Sequence, residues 1–265
     1  MDQTVDAPAA PQAIDIRRVG TEAPWSWLAA GWRDVVAAPG IAIVYGVIFA
    51  AVSCLITVGL WVSDAIEYLP PLAAGFMLVA PMLAVGLYET SRRLERGEPA
   101  TLGAALLVST RSPLQLFFMA GVLMVTLLFW MRLAMLLFAL FMGTSSVPPA
   151  EQLLGDLLLT QHGIALLIVG TAIGAVLAAT VFAISMISVP MLMVRDVDTI
   201  TAILISLRAV VQNWRPCLLW AWLIALLSAA SMVTFFAGMI VLFPLLGFAS
   251  WHAYRSLVAD AGAAA

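Results

Sequence analysis

Apolar residues in this chain fall into runs that are too long for a soluble core, separated by short polar links. A bilayer core about 30 Å thick needs roughly 20 apolar residues of helix. The runs 39–62, 69–88, 114–142 and 163–194 all meet that requirement. A final run from Pro216 to Ala253 is 38 residues long, which is nearly twice what one crossing uses. It is predicted to be a hairpin, 216–231 and 235–254, turning near Ala230 and Ser231. The expectation is therefore an all-α polytopic membrane protein with six transmembrane helices in a domain covering 24–258. Tails 1–23 and 259–265 flank it, and the first, polar and rich in proline and alanine, is expected to be a disordered cytoplasmic segment.

An amphipathic stretch followed by proline precedes every odd-numbered span. Trp25 to Val36 comes before Pro39, with Trp25, Leu28, Trp32 and Val35 at helical spacing. Thr101 to Arg111 comes before Pro113, and Thr199 to Arg215 before Pro216. Each reads as a helix lying in the interface, with proline opening the next span where its missing N–H costs little. The return spans share a second pattern, a proline that bends the helix and then an aromatic ring and an arginine expected to anchor it at the interface. After Pro81 come Leu83, Ala84, Gly86, Tyr88 and Arg92; after Pro244, at the same spacings, come Leu246, Gly247, Ala249, Trp251 and Arg255; Pro190 begins a shorter echo that ends in Arg195. The chain thus reads as three hairpin repeats, each introduced by an interfacial helix, which stack because one hairpin cannot cover its own small-residue faces. Gly170, Gly174 and Ala178 form such a face on the fourth span, and Gly46 with Ala50 a shorter one on the first. These faces suit packing within the chain. A homodimer seam is the alternative, and the sequence does not support it further.

Charge orients this arrangement. Arginine accounts for all 12 basic residues. Arg17, Arg18 and Arg33 precede the first span. Arg92, Arg93, Arg96 and Arg111 lie between the second and third, Arg195, Arg208 and Arg215 between the fourth and fifth, and Arg255 closes the sixth. The alternate loops carry Asp64, Glu67, Glu151, Asp156 and His162. The positive-inside rule then puts both termini in the cytoplasm of a bacterial inner membrane. A formal net charge of -3, with arginines spread over several loops, gives no reason to expect nucleic acid. The expected partners are the lipid bilayer and other membrane proteins.

Arg132 stands apart, inside the apolar run Leu127 to Met135. At mid-bilayer an arginine costs ~2.5–3.5 kcal/mol on insertion scales. Counted from Leu114 it lies ~27 Å along its helix, near enough to the outer face to snorkel beside Trp130. The alternatives are a buried contact, with Glu151 or Asp156 as partner, and a place on a solute or proton path. Pro81, Pro190 and Pro244 each remove a helical donor and bend their helix; Ser185 and Ser188 are placed to satisfy carbonyls freed near Pro190. His162 and His252 fall at opposite faces and cannot share a metal or haem, so a haem-copper oxidase subunit is excluded. Cys54 and Cys217 have no cysteine neighbours that would suggest a disulfide framework or a thiolate metal site. No apolar run has an acid away from its ends, and P-loop, H-E-x-x-H and G-x-S-x-G motifs are missing. No cofactor and no enzymatic activity are expected.

Several blocks together resemble a family. Pro81-Met82-Leu83 with Gly86-Leu87-Tyr88 and Ser91 to Glu95, Trp130 with Arg132-Leu133-Ala134, Ser188 to Leu192 with Arg195 to Asp198, and Pro244 to Gly247 with Trp251 to Arg255 look like the bacterial integral membrane proteins grouped as domain of unknown function 2189. The resemblance runs from about Trp25 to Val258. It implies a six-helix proteobacterial inner-membrane protein and no known activity. Phe248 stands where the family is expected to have histidine, which weakens a histidine metal site. Two functional classes stay open: a scaffold or assembly partner for other membrane proteins, and a permease or channel for a small solute with a cavity near Arg132.

Overall fold

The computed structural model describes residues 14–143 and 150–259, without the side chains of 150–154. Among the described residues the regular structure is helical, apart from one isolated antiparallel bridge between Ile16 and Val258. The helices are α1 (Ala23–Ala37), α2 (Pro39–Val62), α3 (Leu69–Leu83), α4 (Val85–Glu95), α5 (Leu102–Leu106), α6 (Pro113–Met142), α7 (Ala150–Leu159), α8 (Gln161–Ser185), α9 (Ser188–Val194), α10 (Thr199–Gln212), α11 (Trp214–Val233) and α12 (Met239–Leu257).

Five segments are long and apolar enough to cross a membrane: α2, the Ile66–Glu95 segment that contains α3 and α4, α6, the Gln161–Val194 segment that contains α8 and α9, and α11. The expected break in the last apolar run is present. α11 ends at Val233, Phe236 N–H donates to Ser231 O, and α12 starts at Met239. α12 has 19 residues, and the Trp251-His252-Ala253-Tyr254-Arg255 end lowers its hydropathy.

α12 is the hub of the fold, packing along α1 and α2 and against α4 and α11. The close approaches are made by small residues. A Cβ on Gly31 would lie 2.7 Å from Ala249 N, and one on Gly247 would lie 2.4 Å from Leu87 Cδ1. A Cβ on Gly86 would lie 2.1 Å from the Ala105 carbonyl. Ala249 and Gly86 occupy the same place after their prolines, and each receives a surface helix, α1 in one case and α5 in the other. The contacts follow an order: α1 packs on α12, α5 on α4, and α10 on α8 and α9.

α1 leaves Trp25 and Trp32 half-exposed on its outward stripe and buries Trp27, Ala30 and Gly31 against the bundle. Trp27 meets Trp220 edge to face at 5.8 Å. Three expectations need correction. The second amphipathic segment is helical only over α5, because Thr101 caps a helix that stops at Leu106. Tyr88 and Trp251, expected as interfacial anchors, are buried in the core. The tail expected to be disordered to residue 23 is ordered from Ile14. Arg17 N–H donates to Leu257 O at 2.9 Å and Ala259 N–H to Asp15 O at 3.1 Å. Asn213 holds the same strand, accepting from Val19 N–H and donating to Arg17 O. Residues 1–13 and 260–265 of the expected tails lie outside the described residues.

Candidate functional site

Side chains from α1, α4 and α12 form a polar knot at the arginine-bearing end. Asp34 lies seven residues after Trp27 and so on the buried face of α1. Its Oδ2 accepts from Ser91 Oγ at 2.6 Å and from His252 Nε2 at 2.8 Å. The other ring nitrogen of His252 is 3.6 Å from Glu95 Oε1, and Glu95 Oε2 is 3.2 Å from Arg255 Nε. Beside it, the buried Glu89 carboxylate takes two hydrogen bonds from Arg92 and one from Arg93. The charged groups are thereby matched within the protein, as partial burial requires. The sequence had marked out His252, and Arg92 and Arg255 as the ends of the two return-span patterns, without showing that they meet. Asp34 had a readable signal, an acid on the same helical stripe as Trp27. Glu89 and Glu95 had none beyond their spacing to Arg92 and Arg93.

Trp130 and Arg132, two residues apart on α6, have opposite surroundings. Trp130 is buried and its Nε1–H donates to Pro71 O at 2.8 Å. Its ring is wedged between two glycines: a Cβ on Gly75 would lie 3.4 Å from its Cδ1 and one on Gly174 would lie 2.9 Å from its outer edge. Gly174 therefore packs within the chain, whereas Gly170 faces open space. Arg132 is exposed and makes no hydrogen bond or ion pair among the described residues. The Glu151 side chain, one partner considered for it, lies outside those residues. A cavity of about 390 Å³ touches Trp130, Ala134, Gly170 and Gly174, with Glu67 and Thr171 as its polar members. A second, of about 280 Å³, lies against Phe49, Phe76 and Phe243. Arg132 lines neither.

The prolines are handled in three ways. After Pro81 the helix is interrupted at Ala84 between α3 and α4. Pro244 leaves α12 continuous, and the Ile240 carbonyl that loses its donor lies against α2 at Gly46, where a Cβ would come within 2.1 Å of it. Ahead of Pro190 the chain breaks at Met186 and Ile187, and the hydroxyl of Ser206 on α10 enters the gap. It accepts from Ile187 N–H at 3.1 Å and donates to Ala183 O at 2.7 Å, replacing a helical bond between those two groups. Ser188 Oγ donates to Ile184 O, one turn back. Sequence reasoning found Ser188 and missed Ser206, which comes from another helix.

Residues 68–194 match the family described as "Predicted integral membrane protein (DUF2189)". The chain is an integral, multi-pass membrane protein, and just under half of it is similar to that family. The matched stretch runs from the start of α3 to the end of α9, and so contains Pro81, the α4 part of the knot, Trp130, Arg132 and Pro190. His252, Pro244 and the rest of α12 lie beyond it. No curated protein and no solved structure matches the chain.

Proposed function

We propose that this protein is a non-enzymatic scaffold or assembly partner for other membrane proteins in a bacterial inner membrane. In this reading it crosses six times as three hairpin repeats, and both termini are cytoplasmic. α12 supplies the sixth crossing, since 19 residues of helix extend ~28 Å, close to the thickness of a bilayer core. α5 and α10 each pack on the return helix of the hairpin before them, and α1 packs on α12, the return helix of the last one, which supports the repeat. The observation that carries the scaffold reading is the position of Arg132. It faces outward from the bundle and lines neither intramembrane cavity, so the cation that a permease was expected to use is turned away from both.

Two measurements test this reading. A photo-crosslinker placed at the exposed Phe117 or Phe129 of α6 should give discrete protein adducts in native membranes. Proteoliposomes should show no more solute flux than empty vesicles. Flux of a small neutral or anionic solute that Arg132→Leu abolishes would replace the scaffold with the permease. For orientation, cysteines introduced at Gly97 and Asp64 should label from opposite sides, Gly97 from the cytoplasm; the reverse result removes the topology.

A further inference from the structure

Arginines from separate parts of the chain meet in one cavity. It has a volume of about 540 Å³ and lies at the arginine-bearing end, against Trp251 and Tyr254. Arg92 and Arg96 come from α4 and the turn after it, Arg111 from the link before α6, Arg195 from the end of α9, and Arg255 from α12. Each return helix therefore directs its terminal arginine to the same space. A charge bias for membrane orientation needs arginines on one side only and gives no reason for them to converge.

Local acids leave an excess of positive charge. Five arginines against Glu95 and Asp196 leave a formal +3 on the walls. Glu89, behind Arg92, is shared with Arg93, so that pair adds nothing. Glu98, 3.8 Å from Arg96, lowers the excess by one. The scaffolding of the arginines is fixed on several sides. Arg195 donates to Ala259 O at 2.6 Å, the Arg111 backbone N–H donates to Met193 O at 3.0 Å, and Arg255 is held to Glu95. Trp251 lines the cavity too, and its buried indole N–H has no hydrogen-bond partner among the described residues.

We propose that this cavity binds the phosphate of an anionic ligand. Guanidinium forks match phosphate oxygens in pairs, and several converging arginines suit a ligand with more than one negative charge. A basic pocket between membrane helices at headgroup depth suits the headgroup of an anionic phospholipid, and a soluble phosphate ester offers the same chemistry from the aqueous side. The site does not depend on the scaffold reading, because a permease could hold the same ligand.

The test uses the full chain, delipidated in a neutral detergent, and follows thermal unfolding with three probes: diphosphatidylglycerol in mixed micelles, phosphatidylcholine in mixed micelles, and inorganic pyrophosphate at matched ionic strength. Diphosphatidylglycerol, pyrophosphate or both should raise the melting temperature by several degrees, and phosphatidylcholine should not. A response to the lipid alone assigns a headgroup, and a response to pyrophosphate alone assigns a soluble phosphate. Arg96→Gln with Arg111→Gln, both exposed positions, should weaken the apparent affinity at least tenfold, while Arg33→Gln with Arg208→Gln outside the cavity should not. Native mass spectrometry of the unaltered protein gives a second reading, in which pyrophosphate or diphosphatidylglycerol adducts survive and phosphatidylcholine adducts do not. The proposal is overturned if no probe shifts unfolding, if phosphatidylcholine acts equally well, or if the Arg96 and Arg111 variant responds as the unaltered chain does.

Discussion

One half of this bundle is locked and the other is loose, and apolarity does not account for the difference. In the most apolar window of the Ile66–Glu95 segment, 44% of residues are buried, against 17% in α6 and 11% in the Gln161–Val194 segment. Mean hydropathy runs the other way, at 1.8 for the first and 2.2 and 2.5 for the other two. In lipid, hydrophobicity keeps helices in the membrane but does little to press them together. The locked half instead has small residues at its contacts and polar groups that find partners only when α1, α4 and α12 are assembled. α6 and α8 have fewer such devices, Trp130 between Gly75 and Gly174 and the bonds of Gln115 and Ala183 to Thr199 and Ser206, and present most of their surface outward.

The most severe test of this contrast compares two glycines. Gly46→Val would force side-chain atoms into the backbone of Ile240, since even a Cβ would lie 2.1 Å from its carbonyl oxygen and 2.5 Å from its Cα. Neither helix backbone can yield cheaply, so the expected loss is ~3 kcal/mol or more, read as the disappearance of the monodisperse peak in size-exclusion chromatography. Gly170→Val, with nothing within 4 Å of its Cβ, should elute and melt as the unaltered chain does. If Gly170→Val were as damaging, α6 and α8 would be as tightly packed as the locked half.

Next comes Asp34→Ala, which leaves both Ser91 and His252 without their shared acceptor in a partly buried site. Unsatisfied buried groups cost ~1–3 kcal/mol, so the melting temperature in detergent should fall by several degrees. Asp34→Asn keeps one acceptor oxygen and should recover part of the loss. A variant as stable as the unaltered chain would show that the knot decorates the helix ends without joining them.

What could be read from the sequence was whatever repeats at helical spacing. Run lengths gave five of the six expected spans, the break in the last run was found within two or three residues, and the small residues after Pro81 and Pro244 proved to be contact points. α1 has two apolar faces: helical spacing found the outward one, with Trp25 and Trp32, and gave no sign that Trp27, Ala30 and Gly31 form the buried one. Contacts between distant elements left no local trace. Nothing near Ile187 points to Ser206, and nothing in the spacing of the loop arginines shows that five of them share a cavity.

Ser206→Ala sharpens the comparison at the join between the two halves. It would leave the Ile187 N–H and the Ala183 carbonyl facing each other across an empty gap where the hydroxyl now bridges them. A loss of ~1–2 kcal/mol is expected, together with faster hydrogen exchange at Ile187. Asp198→Ala removes the side chain that accepts from Thr201 N–H at the start of α10, at ~1 kcal/mol. Hydrogen bonding from the Thr201 side chain first, and then from its N–H, holds the Asp198 carboxyl below its usual value. Its contribution is therefore complete above the unfolded value of about 4 and is lost as pH falls through the lower folded one. The difference in melting temperature between Asp198→Ala and the unaltered chain should shrink over that acidic window and stay constant above it.

The smallest effect is expected from the most conspicuous residue. Arg132→Leu removes an exposed charge with no hydrogen bond or ion pair among the described residues, on the loose helix α6, where a leucine would meet lipid as its neighbours Leu128 and Phe129 already do. Stability should change by no more than ~0.5 kcal/mol. A much larger loss would mean that Arg132 is held by a group outside the described residues, and the contrast between the halves would then fail at that point. A small gain would agree with a guanidinium that has been drawn toward the interface at some cost. Trp130→Ala, two residues away, should cost ~3–5 kcal/mol, so a single turn of α6 contains both the firmest and the least constrained position on that helix.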